Sequence, residues 1–157
     1  KTSLGNHEIT KEELKEGWSK CLTANECLLH RFGAEKYKNL LARNWFQVKS
    51  SDAIFAIGYL LGDTNSINGK VQVAGGTGWA TAMALLDGKP TYIYSQSESQ
   101  WFQLILNSER DAINCMRLGF TPELTEHFAG IGSRDLTEVG KRAIEELFER
   151  KFNNGAR

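Results

Sequence analysis

Residues Asp52-Ala53-Ile54-Phe55-Ala56-Ile57-Gly58 form a short apolar run with no polar side chain after Asp52. A strand that shows one face to water alternates apolar and polar residues. A run of this kind buries both faces, as strands inside a parallel sheet do. That feature demands helices above and below the strand, and the rest of the chain supplies them. Thr10-Lys11-Glu12-Glu13 fits a capping box, in which hydroxyl and carboxylate satisfy each other's backbone donors. The apolar spacing that follows predicts a helix over Lys11–Arg31, ended by Gly33. A shorter helix is expected over 34–42, others over 79–86 and 137–152, and a further short one over 109–118. Strands are expected over 70–74, 91–94, 101–105 and 127–131, with an exposed loop over 62–69. Strands alternating with helices imply a three-layer α/β domain with a mostly parallel sheet. With 157 residues and no internal repeat, the chain reads as one domain over 1–157.

Composition removes several function classes. Nineteen basic and nineteen acidic residues leave no net charge, which argues against a nucleic-acid protein that works by bulk attraction. No apolar run reaches the roughly 18 residues of a membrane span, and Lys1–Gly5 lacks the apolar core of a signal peptide. Cys21, Cys27 and Cys115 are odd in number and stand at no metal-ligand spacing. Buried free thiols in a reducing cytoplasm are the simplest expectation for them. His7, His30 and His127 are scattered, so neither a metal site nor a cofactor is expected.

Two stretches carry possible chemistry. In Val73-Ala74-Gly75-Gly76-Thr77-Gly78-Trp79-Ala80-Thr81 a strand feeds a glycine turn that opens into a helix. Glycines admit a ligand without a Cβ in the way, and a helix start offers free amides and partial positive charge to a phosphate or carboxylate. Thr77 and Thr81 add hydroxyls. The pattern is neither a P-loop nor a dinucleotide fingerprint, and a tight turn without a ligand is the competing reading. In Phe128-Ala129-Gly130-Ile131-Gly132-Ser133-Arg134-Asp135 a second strand ends in glycines, a hydroxyl and an arginine fork suited to phosphate. The competing reading pairs Arg134 with Asp135 on the surface. Asn44 and Gln47, within Arg43–Gln47, are candidates to read a base or sugar edge, against a packed helix end. Tyr94-Ser95-Gln96 closes another strand and is a candidate pocket floor, with Trp101 either part of that floor or core.

These residues resemble a known family. Val73–Ala80, with Gly88-Lys89-Pro90 before a strand, is similar to the SLOG superfamily of Rossmann-like nucleotide-binding domains, which includes the DprA and LOG proteins. Phe128–Arg134 resembles the strand that normally opens such a domain, yet here it closes the chain. That order is similar to the circularly permuted YpsA-like branch, where Arg43–Val48 and Asp52–Gly58 also look like family motifs. The resemblance spans about Leu4 to Phe152. Members of the branch begin with another strand and glycine-rich loop, so these are expected upstream of Lys1, which is not an initiator methionine.

The resemblance implies a nucleotide-derived ligand bearing phosphate and ribose, of the cyclic ADP-ribose or cyclic nucleotide type. Its expected contacts are Gly75, Gly76, Thr77, Gly78, Trp79, Thr81, Gly130, Gly132, Ser133 and Arg134, with Asn44, Gln47 and Ser95. LOG enzymes cleave N-glycosidic bonds with a glutamate whose matching position here is Ala82. A methyl group cannot stabilise an oxocarbenium-like sugar, so binding without chemistry is expected. A sensor, or a phage-type sponge that sequesters an immune signal in antiviral defence or anti-defence, fits that expectation. The alternative is a nucleotide N-glycosidase or phosphoribohydrolase-like enzyme taking its carboxylate from Asp52, Glu98 or Asp135. A DprA-like nucleic-acid partner is the weaker alternative. A homo-oligomer is also expected, with Trp18 and Phe32 as candidate contacts.

Overall fold

The computed structural model describes residues 8–28, 31 and 34–155. Helix α1 (Lys11–Cys27) begins at the expected capping box, with Glu13 N donating to Thr10 Oγ1 and Thr10 N to Glu13 Oε2. The expected continuation through Leu29 and His30 to Gly33, and the packing of Phe32, lie outside the described residues. A single 3₁₀ turn (Ala34–Tyr37) leads into α2 (Lys38–Lys49). That helix runs past the expected end at Ala42, because Leu41, Trp45 and Val48 continue one buried face.

The remaining elements are β1 (Ala53–Gly58), β2 (Leu60–Gly62), β3 (Val71–Val73), α3 (Thr77–Leu86), β4 (Thr91–Ser95), β5 (Gln100–Leu106), β6 (Ile113–Arg117), β7 (Phe128–Gly132) and α4 (Glu138–Gly155). They form the expected three-layer α/β domain around one mixed sheet of order β2-β3-β6-β5-β4-β1-β7. Its parallel part is β4-β1-β7, and β1 is buried at every position, as its apolar run requires. Beyond β4 the ladders are antiparallel, because β4 returns directly into β5 and β5 into β6 through short turns. The helix expected over 109–118 is instead a turn followed by β6. Asn107 Oδ1 accepts from the amides of Asp111 (2.9 Å) and Ala112 (3.0 Å), which offers the backbone an alternative to helix. Ile113 and Cys115 then alternate into the core at the strand period.

The sheet cannot be flat. β1 and β2 lie five ladder steps apart, roughly 24 Å at about 4.8 Å per step. Yet Tyr59 alone joins them, a reach of about 7 Å. The sheet therefore curls until its β2–β3 edge meets the end of β1. Helix α3 lies in the hollow, covered by α1 and α2, and is buried from Thr77 to Leu85. Its sequence is apolar almost all round, as a helix with no solvent face must be. Trp18 packs against this same core rather than standing free. A second core on the opposite face joins Phe55, Ile57, Trp101, Leu118 and Leu124 to Ala143 and Leu147 of α4. Trp101 belongs there, edge-on to Tyr94 at 5.4 Å, and does not floor a pocket. Among the described residues no helix is long and apolar enough to cross a membrane.

Candidate functional site

The end of β1 is where the glycine turns meet. Three successive carbonyls each accept an amide from a different loop: Ile57 O from Ser133 N (3.0 Å), Gly58 O from Gln96 N (2.8 Å) and Tyr59 O from Ala74 N (3.0 Å). Main-chain groups of neighbouring strand residues point to opposite sides, so the loops arrive from different directions and close around one spot. Gly58 forms its floor. A Cβ built there would lie 4.0 Å from both Val73 Cγ1 and Ser133 Cβ and 3.9 Å from Ile93 Cδ1. Helices α3 and α4 both start at this end, one on each face of the sheet. Their partial positive charges therefore add at the same place.

Each turn has its own construction. Gly75 takes φ +69°, the left-handed conformation in which glycine is at ease, and α3 starts from Gly76 with no side-chain cap. The amides of Gly78 and Trp79 fold back onto the carbonyls of Gly75 and Gly76. At the other turn Gln96 is 6 % exposed and works as a tie. Its Nε2 donates to Asp135 O (2.8 Å), while its Oε1 accepts from Thr137 N (2.7 Å) and Thr137 Oγ1 (2.9 Å). Thr137 in turn caps α4 by accepting from Gly140 N (3.2 Å). Loop 133–137 is thus fixed to the end of β4.

Four buried polar atoms have no hydrogen bond among the described residues: Ser133 Oγ, Glu98 Oε2, Trp79 Nε1 and Trp101 Nε1. Such atoms cost stability unless something else satisfies them. Ser95, fully buried, shares a hydrogen bond of 3.3 Å with Ser97. Glu98 Oε1 accepts from Thr64 Oγ1 (2.6 Å), and Arg117 stands 4.0 Å from it.

The structure gathers Gly75, Gly76 and Thr77 with Gly132, Ser133 and Ser95, and sets exposed Arg134 beside them. Other expected residues are placed differently. Thr81 is wholly buried, its hydroxyl donating back to Thr77 O (3.1 Å) and Gly78 O (3.0 Å) of its own helix. Trp79 is 8 % exposed. Gly130 is in the middle of β7, not in the turn. Gln47 lines a separate hollow of about 460 Å³ with Ser50, Ser51, Glu126, His127 and Gly130, at the opposite end of β1. Asn44 lies one turn earlier on the same helix. Asp52 is at that far end too, accepting from Thr125 Oγ1 and from His127 N (3.1 Å). No family model, curated protein or solved structure matches this chain.

Arg31 carries no signal in the sequence, and Gln96 stands out there only as the end of a strand. The Arg31 guanidinium lies across the first glycine turn, donating to Val73 O, to Gly75 O (3.0 Å) and to Gln72 Oε1 (3.0 Å), 5.3 Å from the Trp79 ring centre. Gly78 must be glycine because a Cβ there would overlap the Val73 carbonyl oxygen as well as this guanidinium. Among the described residues no carboxylate comes within 4.0 Å of it. Burial holds its pKa below the ordinary arginine value. It reaches the turn from beyond the end of α1, so no local motif announces it. No group of three or more His, Cys, Asp or Glu gathers as a metal site among the described residues.

Proposed function

We propose that this chain binds a small nucleotide-derived molecule, bearing phosphate and ribose, over the carboxyl ends of β4, β1 and β7. The observation that carries the reading is the triple convergence on Ile57, Gly58 and Tyr59. Ligands of open α/β sheets sit where strand ends and helix starts meet in this way. The phosphate lies against the uncapped start of α3, within the field of Arg31. Ser133 Oγ, without a partner among the described residues, supplies a hydroxyl for ribose. The SLOG-like motifs noted above favour the same ligand class. Holding such a ligand unchanged is what a sensor or a sequestering protein does. Ala82, which stands where LOG enzymes carry their glutamate, is wholly buried in the core and out of a ligand's reach.

A second reading, hydrolysis of an N-glycosidic bond, draws on one observation. Of the three carboxylates considered for it, Glu98 lies at this end of the sheet with an unpartnered buried oxygen. The purified protein is therefore incubated with nucleotides, cyclic oligonucleotides and cyclic ADP-ribose isomers, washed, denatured and assayed by mass spectrometry. Gly76→Trp is the control variant. Gly76 has φ −62°, and a Cβ there meets no atom within 4 Å, so the indole enters ligand space without strain on the fold. The expected result is one intact compound retained by the wild type and lost from Gly76→Trp. Equal retention by both proteins, or by neither, overturns the site. Release of free base that Glu98→Gln abolishes selects the second reading.

A further inference from the structure

Among the described residues the β7 edge is undefended. β7 is the last strand of the sheet, and its outer side pairs with nothing among the described residues. In the parallel ladder with β1, Ser133 N reaches Ile57 O, and Phe128, Gly130 and Gly132 are the register partners of Ala53, Phe55 and Ile57. That register turns the main-chain groups of Phe128, Gly130 and Gly132 away from β1. Monomeric proteins blunt such an edge with charge, proline, a bulge or a covering element. Phe-Ala-Gly-Ile-Gly has no charge or proline, and Gly130 and Gly132 are exposed. The other edge, β2, is only three residues long and is drawn in by the curl.

We propose that a second copy of this chain pairs its own β7 antiparallel to this edge, about a two-fold axis at Gly130. The strand is self-complementary in that register. Each outward-facing Phe128 falls opposite Gly132 of the partner subunit, large against small. Each Glu126 falls opposite Arg134 of the partner subunit. Among the described residues of one chain Glu126 has only His127 Nε2 at 3.9 Å, and no carboxylate lies within 4.0 Å of Arg134. Apolar surface flanks the strand as well. Phe148 of α4 is 42 % exposed and packs edge-on to Phe128 at 5.9 Å, and Phe152, one turn later, is 74 % exposed. A Cβ at Gly130 or Gly132 would meet nothing within 4 Å, which leaves space for these rings of the second copy. Gly132 and Arg134 border the proposed ligand site, so the dimer is tested without ligand.

Sedimentation velocity of the ligand-free protein tests it. The expected species has twice the 17.6 kDa chain mass. Gly130→Pro removes an amide hydrogen that has no ladder partner within one chain, so it should give a folded monomer. Glu126→Arg and Arg134→Glu should each weaken the dimer on the order of tenfold, since two attractive pairs become repulsive. Combining them should restore it. A wild type monomeric at every concentration, a dimer indifferent to Gly130→Pro, or charge reversals without mutual rescue would each overturn the proposal. If melting curves show Gly130→Pro unfolded, the charge-reversal series decides alone.

Discussion

Gly140→Ala should destabilise the protein although alanine is the better helix former. Gly140 is in the first turn of α4, where the exchange to alanine is worth up to about 1 kcal/mol in favour of the folded state. The new Cβ, however, would overlap Gln96 Oε1 and lie 2.9 Å from Leu136 Cδ1. Gln96 is long enough to swing aside, but it then gives up its hydrogen bonds to Asp135 O, Thr137 N and Thr137 Oγ1. At about 1 kcal/mol each, that loss outweighs the helix gain, for a net cost of about 2 kcal/mol. In a protein of this size the melting temperature should fall by about 4–8 °C. Urea titrations of the wild type, Gly140→Ala, Gln96→Ala and the double variant form the assay. In the Gln96→Ala background only the movable end of exposed Leu136 remains in the way, so the same substitution should be neutral or stabilising. An equal cost for Gly140→Ala in both backgrounds would refute the account, because the penalty would then not pass through Gln96.

Three other outcomes are expected. Gly17→Ala should cost about 1–3 kcal/mol in urea titration despite its helix-propensity gain, because its Cβ would overlap Ala42 O where α1 crosses α2. The hydrogen bond from Thr125 holds the Asp52 carboxyl below its ordinary pKa, with the His127 amide adding to it, as the bond from Trp45 does for Glu16. A depressed carboxyl pKa adds stability above the unfolded value, near 3.8 for Asp52, that is lost as pH falls through the lower folded value. Asp52→Asn should accordingly flatten the acid limb of a stability–pH curve, and an unchanged limb would count against the Thr125 contact. Burial lifts the Cys21 thiol to about 11 and pushes Cys27 and Cys115 upward as well. Native protein at pH 8 should therefore react with a thiol reagent only as fast as it unfolds, and rapid labelling of Cys21 would contradict its burial.

The frame was legible because its signals are local. The unbroken run of β1 announced a doubly covered strand, Thr10 and Glu13 marked the start of α1, and the glycines after Val73 marked the turn into α3. The chain also revealed that two glycine turns exist. That they share one strand end depends on which strands are neighbours, and no local pattern encodes neighbourhood. The strand of β5 was legible, but β6 was not, because Asn107 organises the turn before it through side-chain bonds and Ile113 and Cys115 give too short an alternation to outweigh a helical pattern. Arg31 and Gln96 act across long stretches of chain through single side chains. Thr81 misleads for a different reason: its hydroxyl, although near a helix start, is spent on its own backbone.

The three carbonyls at the end of β1 also set an order of events. Ala74, Gln96 and Ser133 reach them from successively later parts of the chain, and contacts that close longer loops form later and more slowly. The hairpin of β2 and β3 can place Ala74 early, whereas Ser133 must wait until nearly the whole chain has been laid down and β7 has docked. Any partly folded form that lacks β7 therefore lacks one of the three contacts. A ligand held there would protect only the finished molecule, and its release would report the first loosening of β7 before the rest of the sheet comes apart.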